Sequence, residues 1–170
     1  MTVSESSASA VSEVPPPLLV ASWEWLGLLP TDRVPLWAAH WIVGGHDGPA
    51  LVYLAGLHGD DPREVHDALP EALLDCGVDM PDSDVAAANV AFTHTARLHL
   101  DRLIDPRRVL DQVGQVVARS GYSASVMDLP LGGLLGVDDE WGSGWGRSTA
   151  ELAEVVHDAC EEQLRSRSAA

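Results

Sequence analysis

The chain has 170 residues, of which 46% are hydrophobic and 21% are charged. This length suits one ordinary domain with its own core, and the composition excludes a chain that is disordered throughout. The 26 acidic residues exceed the 10 basic ones by 16, which disfavours direct binding to nucleic acid or to an anionic membrane surface and favours encounters with cationic surfaces.

The first segment, residues 1–17, is rich in Ser, Ala, Glu and Pro and has no apolar periodicity. This composition is typical of a flexible linker, so we predict a disordered N-terminal tail followed by a single helical domain over residues 18–170. The apolar run PPPLLVASWEWLGLLP is too short and too interrupted by polar residues and prolines to cross a bilayer. We expect Trp23 and Trp25 to anchor the tail to the domain.

The domain repeats one pattern, in which a proline near an acidic residue opens a segment of apolar periodicity. It occurs in HDGPALVYL, GDDPREV, DMPDSDV and IDPRRVL. Proline suits the first turn of a helix because its missing N–H would be unpaired there, and a nearby aspartate can accept a hydrogen bond from a free N–H group. Asp47, before Gly48 and Pro49, is predicted to cap a helix in this way.

The first three predicted helices lie in the first half of the chain. Two short ones cover PLWAAHWIVGG and PALVYLAGL. The third has an apolar stripe from Val65 to Cys76 and ends near Gly77. Pro70 lies inside it, so the segment is either one kinked helix or two short ones.

Three more helices are predicted in the second half. The longest has an apolar stripe from Val85 to Leu103, and a row of valines marks the next one in PRRVLDQVGQVVAR. The segment YSASVMDLPLGGLLGV is predicted to be an apolar, glycine-rich loop with room for a brief extended piece. The last helix begins at Ser148, where STAE forms a capping box with Glu151. The expected fold is therefore all-α, a single compact bundle of about six short helices.

Two segments, WAAHWIVGGHDGPALVYLAGLHGDDPREVHDALPEALLDCGV and LGVDDEWGSGWGRSTAEL, resemble parts of small helical proteins that are common in GC-rich bacteria and have no assigned function. The resemblance implies an all-helical module and no activity. All ten basic residues are arginine, which is typical of a GC-rich bacterial coding sequence. Cys76 and Cys160 lack metal or redox spacing, and the chain shows no secretory signal, so a cytoplasmic location is expected.

Histidine–aspartate dipeptides suggest one alternative function, a metal-dependent hydrolase. Pairs of this kind can bind metal when they converge from separate helices. Chance matches in so acidic a sequence and acidic helix starts explain the pairs without a metal, so no catalytic residue, metal ligand or cofactor is assigned. In the hydrolase alternative, the ligands would come from His40, His46, His58, His66 and neighbouring aspartates.

Acidic side chains recur at helical spacing on two of the predicted helices. Either they form solvated faces or they meet a cationic partner. Like charges at this spacing disfavour a helix slightly, so such ridges favour a role in solubility or in binding. The two ridges are Glu64, Asp67, Glu71 and Asp75 on one helix, and Glu151, Glu154, Asp158 and Glu161 or Glu162 on the other.

The segment DDEWGSGWGRSTAEL places two tryptophans among glycines just before the last helix. The indoles could fold back over the core as a lid, with Arg147 stacked on one ring, or they could be presented as a hot spot to a partner. Acidic side chains beside them would attract a basic protein. The sequence therefore favours an acidic protein-binding module, either an immunity-like or antitoxin-like inhibitor or an adaptor. The candidate partner-binding residues are Asp138, Asp139, Glu140, Trp141, Trp145 and Arg147.

Overall fold

Helices make up all the regular structure in residues 13–168, the part of the chain that the computed structural model describes. No strand occurs in this part, so the prediction of an all-α fold is confirmed. None of its helices is long and apolar enough to span a bilayer. Three short 3-10 helices are Thr31–Arg33, Gly132–Leu134 and Val137–Glu140. The α-helices of these residues are α1 (Pro17–Trp25), α2 (Val34–Val43), α3 (Pro49–Ala55), α4 (Pro62–Asp75), α5 (Asp84–Leu100), α6 (Pro106–Arg119), α7 (Ala124–Met127) and α8 (Thr149–Ser168).

Prolines open α3, α4 and α6 as the sequence predicts, but the proline of DMPDSDV lies before α5, which Ser83 caps instead. A proline occupies the first turn of α1, α2, α3, α4 and α6. At the start of α4, Asp61 accepts a hydrogen bond from the backbone N–H of Arg63 at 2.9 Å. At the start of α6, Asp105 accepts one from the N–H of Arg108 at 2.8 Å. Each aspartate satisfies an N–H group that the helix itself leaves unpaired.

The start of α3 differs from the prediction. Its N-cap residue is Gly48, and no side chain of the preceding segment caps it. The carboxylate of Asp75, at the end of α4, instead accepts a hydrogen bond from the backbone N–H of Leu51 at 2.9 Å. A Cβ atom at Gly48 would clash with this carboxylate. The prediction that Asp47 caps α3 is therefore wrong, because a carboxylate from another helix takes that role.

Two helices lie outside the six predicted ones. In α1, four consecutive residues from Leu19 to Ser22 are buried, so the helix has no apolar stripe by which to recognise it. The four-residue helix α7 forms where a brief extended piece was expected. The third predicted helix, α4, continues through Pro70 as one helix, and it is not divided in two.

Residues 13–17 were assigned to the tail by the sequence, but they pack against the body. Val14 lies against the buried residues of α1 to α4. The backbone oxygen of Pro15 accepts a hydrogen bond from the indole N–H of Trp41 at 2.9 Å. The rest of the predicted tail, residues 1–12, lies outside the described residues.

Two clusters of buried side chains form the core. One is built by α1 to α4, and the other by α5 to α8 with the segment that precedes α8. α1 contributes Val20 and Ala21 to the first cluster, and Leu26, its C-cap residue, belongs to the second. α5 contacts α1 as well as α6 and α8. The helices therefore form one continuous bundle.

The side chain of Gln163 on α8 is wholly buried. Its amide nitrogen donates to Oδ1 of Asn89 on α5 at 2.7 Å. Its amide oxygen accepts a hydrogen bond from the backbone N–H of Leu131, after α7, at 3.3 Å. A buried amide needs such partners because leaving them unmade costs about 1–3 kcal/mol.

Candidate partner-binding site

All six candidate residues lie in residues 137–148, which we call the Trp145 loop. It starts with the 3-10 helix and ends at the first turn of α8. Gly142, Gly144 and Gly146 have φ angles of +76°, +79° and +79°, a region that favours glycine. The hydroxyl of Ser143 lies 2.9 Å from the backbone oxygen of Glu140 and 3.0 Å from that of Trp145. The glycines therefore form defined turns.

An ion pair closes the loop. Arg147 donates from Nη2 to Oε1 of Glu140 at 2.6 Å and from Nε to Oε2 at 3.1 Å. The backbone N–H of Arg147 also donates to Oε2 at 3.1 Å. The side-chain hydrogen bond from Arg147, followed by the backbone one, lowers the pKa of Glu140 to about 2. A Cβ atom at Gly146 would lie 2.7 Å from Oε2 of Glu140, so a side chain there would disturb the pair.

A capping box joins the loop to α8. The backbone N–H of Ser148 donates to Oε2 of Glu151 at 2.7 Å, and the N–H of Glu151 donates to the Ser148 hydroxyl at 3.3 Å. The backbone hydrogen bond from Ser148, followed by a hydrogen bond of the Ser148 side chain, lowers the pKa of the Glu151 carboxyl group. The capping box predicted from STAE is confirmed, and it fixes where the helix begins.

Trp141 covers part of the core. Its side chain is partly buried and packs against the cluster built by α5 to α8. The guanidinium carbon of Arg107 lies 5.8 Å from the centre of the Trp141 ring, and Arg107 Nη2 donates to Oδ1 of Asp138 at 3.1 Å. The lid interpretation thus describes Trp141, but the arginine on its ring is Arg107 of α6. Arg147, the stacking partner expected from the sequence, is bonded to Glu140 instead.

Trp145 points outward. Its exposed fraction is 64%, and within residues 13–168 its indole N–H has no hydrogen-bond partner. Its backbone N–H donates to the Ser143 hydroxyl at 3.3 Å. The two indoles of the loop therefore have different surroundings, one against the core and one in solvent.

The acidic run at the start of the loop is largely neutralised. Asp138 pairs with Arg107 and Glu140 with Arg147, while Asp139 is exposed and has no ion-pair partner in the described part of the chain. No sequence pattern indicates that Arg107 pairs with Asp138, because the two residues lie 31 positions apart.

Several side chains of the predicted acidic ridges also form hydrogen bonds or ion pairs within the protein. On α4, Glu64 accepts a hydrogen bond from the Tyr53 hydroxyl at 2.7 Å, and Asp75 caps α3. On α8, Arg165 lies 3.9 Å from Glu161 and 3.2 Å from Glu162. The ridge members that are exposed and form neither an ion pair nor a side-chain hydrogen bond among the described residues are Asp67, Glu71, Glu154 and Asp158.

The histidines considered as metal ligands do not converge. His66 Nδ1 lies 2.8 Å from Glu24 Oε2. Over residues 13–168, no group of three or more His, Cys, Asp or Glu side chains is placed to hold a metal ion. No observation on these residues favours the hydrolase as a second candidate function.

Comparison with protein-family models finds no family that matches the chain. No curated protein and no solved structure matches it either. A functional proposal for this chain therefore depends on the contacts of its own residues.

Proposed function

We propose that the protein is an acidic protein-binding module that docks a basic partner protein through the Trp145 loop. The observation that carries the proposal is the 64% exposure of Trp145 on a loop that its own hydrogen bonds already hold. Tryptophan is among the residues most enriched in binding hot spots. A loop that is ordered before binding loses less conformational entropy when a partner docks.

The free acidic side chains near the loop support a basic partner. Asp139 lies in the loop, and Glu154 and Asp158 lie on the exposed side of α8, which starts where the loop ends. The chain as a whole carries a formal charge of −16. Unpaired surface charge of one sign speeds the approach of an oppositely charged protein, and the exposed indole supplies contact energy after the encounter.

Two biological forms use this same surface. In one, the protein is an immunity-like or antitoxin-like inhibitor that covers a cationic active site in the bacterial cytoplasm. In the other, it is an adaptor that recruits a basic protein into a larger assembly. Both forms place Trp145 at the interface, and they differ in whether binding abolishes the partner's activity.

A single variant tests the proposal. The partner is captured from an extract with the wild-type chain, purified, and titrated by calorimetry against the wild type and Trp145→Ala. We expect Trp145→Ala to bind about tenfold more weakly or worse, as for a hot-spot residue. The matched control is Leu103→Ala, since Leu103 is also 64% exposed but lies outside the loop. Equal affinities for all three chains, or a captured partner with an acidic surface, would contradict the proposal.

A further inference from the structure

A cavity of about 680 Å³ opens where the segment before α1 meets α2, α5 and α6. It is separate from the Trp145 loop, none of whose residues lines it. Its size falls within the range of roughly 300–1,000 Å³ that is usual for small-molecule sites.

Three arginines line the cavity although the chain has only ten. Arg33 precedes α2, Arg97 belongs to α5 and Arg108 to α6. None of the three has an ion-pair partner within 4.0 Å among residues 13–168, although 26 acidic residues are available in the chain. Arg97 does not pair even with Asp101, four residues later and also at the cavity. Unpaired guanidinium groups from three elements at one cavity favour an anionic ligand.

Aromatic side chains also line the cavity. The rings of Trp23 and Trp37 lie 5.9 Å apart at 44°, and the His94 ring meets Trp23 edge-on at 6.1 Å. Burial lowers the pKa of His94, which the nearby Glu13 partly opposes, so the site disfavours the charged imidazole. The positive charge of the cavity therefore comes from the arginines, and the acidic side chains of Glu13 and Asp101 also line it.

We propose that this cavity binds a small organic anion, with its carboxylate or phosphate group on Arg33, Arg97 and Arg108 and its apolar body against Trp23 and Trp37. Both headgroups present oxygen atoms that accept paired hydrogen bonds from a guanidinium group. The flat indole faces suit an aromatic or other planar body. This site does not depend on the proposed function of the Trp145 loop.

The test uses the full chain and defined probes. Calorimetric titrations are made with 1-naphthoate and with 1-naphthyl phosphate, which distinguish the two headgroups. 1-Naphthamide is the control ligand without a charge, and inorganic phosphate is the control ligand without an apolar body. We expect saturable binding of one naphthyl anion and at least tenfold weaker binding of the neutral amide and of inorganic phosphate, because each lacks half of the recognition.

Variants then locate the probe. Arg97→Gln and Arg108→Gln each remove one exposed guanidinium group, and we expect each to weaken binding of the preferred anion by about tenfold. Arg167→Gln is the matched control, because Arg167 is exposed, unpaired among the described residues and distant in sequence from the cavity lining. Circular dichroism checks that each variant is folded. The proposal is overturned if neither naphthyl anion binds saturably, or if both cavity variants bind as the control does.

Discussion

The carboxylate of Asp75 and the backbone N–H of Leu51 are joined by a hydrogen bond of 2.9 Å, although the two residues lie 24 positions apart. The bond lets the end of α4 cap the start of α3. A helix whose own N-cap residue is glycine thus obtains its acceptor from a neighbouring helix.

We predict that Asp75→Ala destabilises the protein by about 1 kcal/mol, as expected for the loss of a helix cap. Asp47→Ala serves as the control, because Asp47 is exposed and does not cap α3, and its effect should stay within about 0.5 kcal/mol. Urea unfolding of the two variants and the wild type measures both free energies. A larger loss for Asp47→Ala would mean that the local residue is the cap after all.

Alanine substitutions at two glycines should have opposite effects on the stability of the protein. A side chain at Gly48 clashes with the Asp75 carboxylate, whereas a Cβ atom at Gly114 in α6 meets nothing within 4 Å. Gly48→Ala should therefore cost about 1–3 kcal/mol, as overpacking does. Gly114→Ala should stabilise by about 0.5–1 kcal/mol, because alanine loses less backbone entropy in a helix. Thermal or urea unfolding measures both, and a stable Gly48→Ala would contradict the packing described for α3.

The ion pair in the Trp145 loop has a defined pH dependence. The pKa of Glu140 is lowered from 4.5 to about 2, so the pair is fully formed above pH 4.5 and is lost as the pH falls toward about 2. A carbon-13 titration of the Glu140 carboxyl group should have its midpoint near 2. Arg147→Gln should raise that midpoint toward 4.5, and Arg107→Gln should leave it unchanged. A midpoint that does not respond to Arg147→Gln would refute the contact.

The two indoles of the loop should differ in their effect on stability. Trp141 packs against the core, so Trp141→Ala is expected to cost roughly 1–3 kcal/mol. Trp145 is 64% exposed, so Trp145→Ala is expected to change the free energy of unfolding by less than about 0.5 kcal/mol. Urea unfolding of the single variants compares them. If Trp145→Ala is as destabilising as Trp141→Ala, the exposed position of its ring is wrong.

Helices with a local signature could be predicted from the sequence. Proline at the first turn, capping aspartates and the STAE box act within a few residues, so they can be read directly and they mark α4, α6 and α8 correctly. α1 also begins with a proline, but no side chain caps it, and because the consecutive residues Leu19 to Ser22 are all buried, no helical period marks it. Four-residue α7 is too short to show one.

The position of the loop could be predicted from the sequence, but the surroundings of its side chains could not. Glycines around two tryptophans indicated a loop, yet which indole faces solvent depends on α6, whose Arg107 lies over Trp141. The sequence predicted that the acidic run at the start of the loop is unpaired, because it does not show which arginines lie beside it. Arg147 was expected on an indole ring, but its guanidinium group forms hydrogen bonds with Glu140, seven residues away. The arginines of the cavity come from three elements and share no pattern in sequence.

The buried amide of Gln163 has a consequence for how α8 is aligned. Its two bonds, to Asn89 and to the Leu131 backbone, are satisfied in only one longitudinal register of α8 against α5. Sliding α8 by one turn, about 5.4 Å, would leave the amide without its hydrogen-bond partners in an apolar interior. Aliphatic contacts alone would tolerate such a shift. Because the Trp145 loop ends on α8, the Gln163 side chain also determines where the exposed indole lies along the bundle.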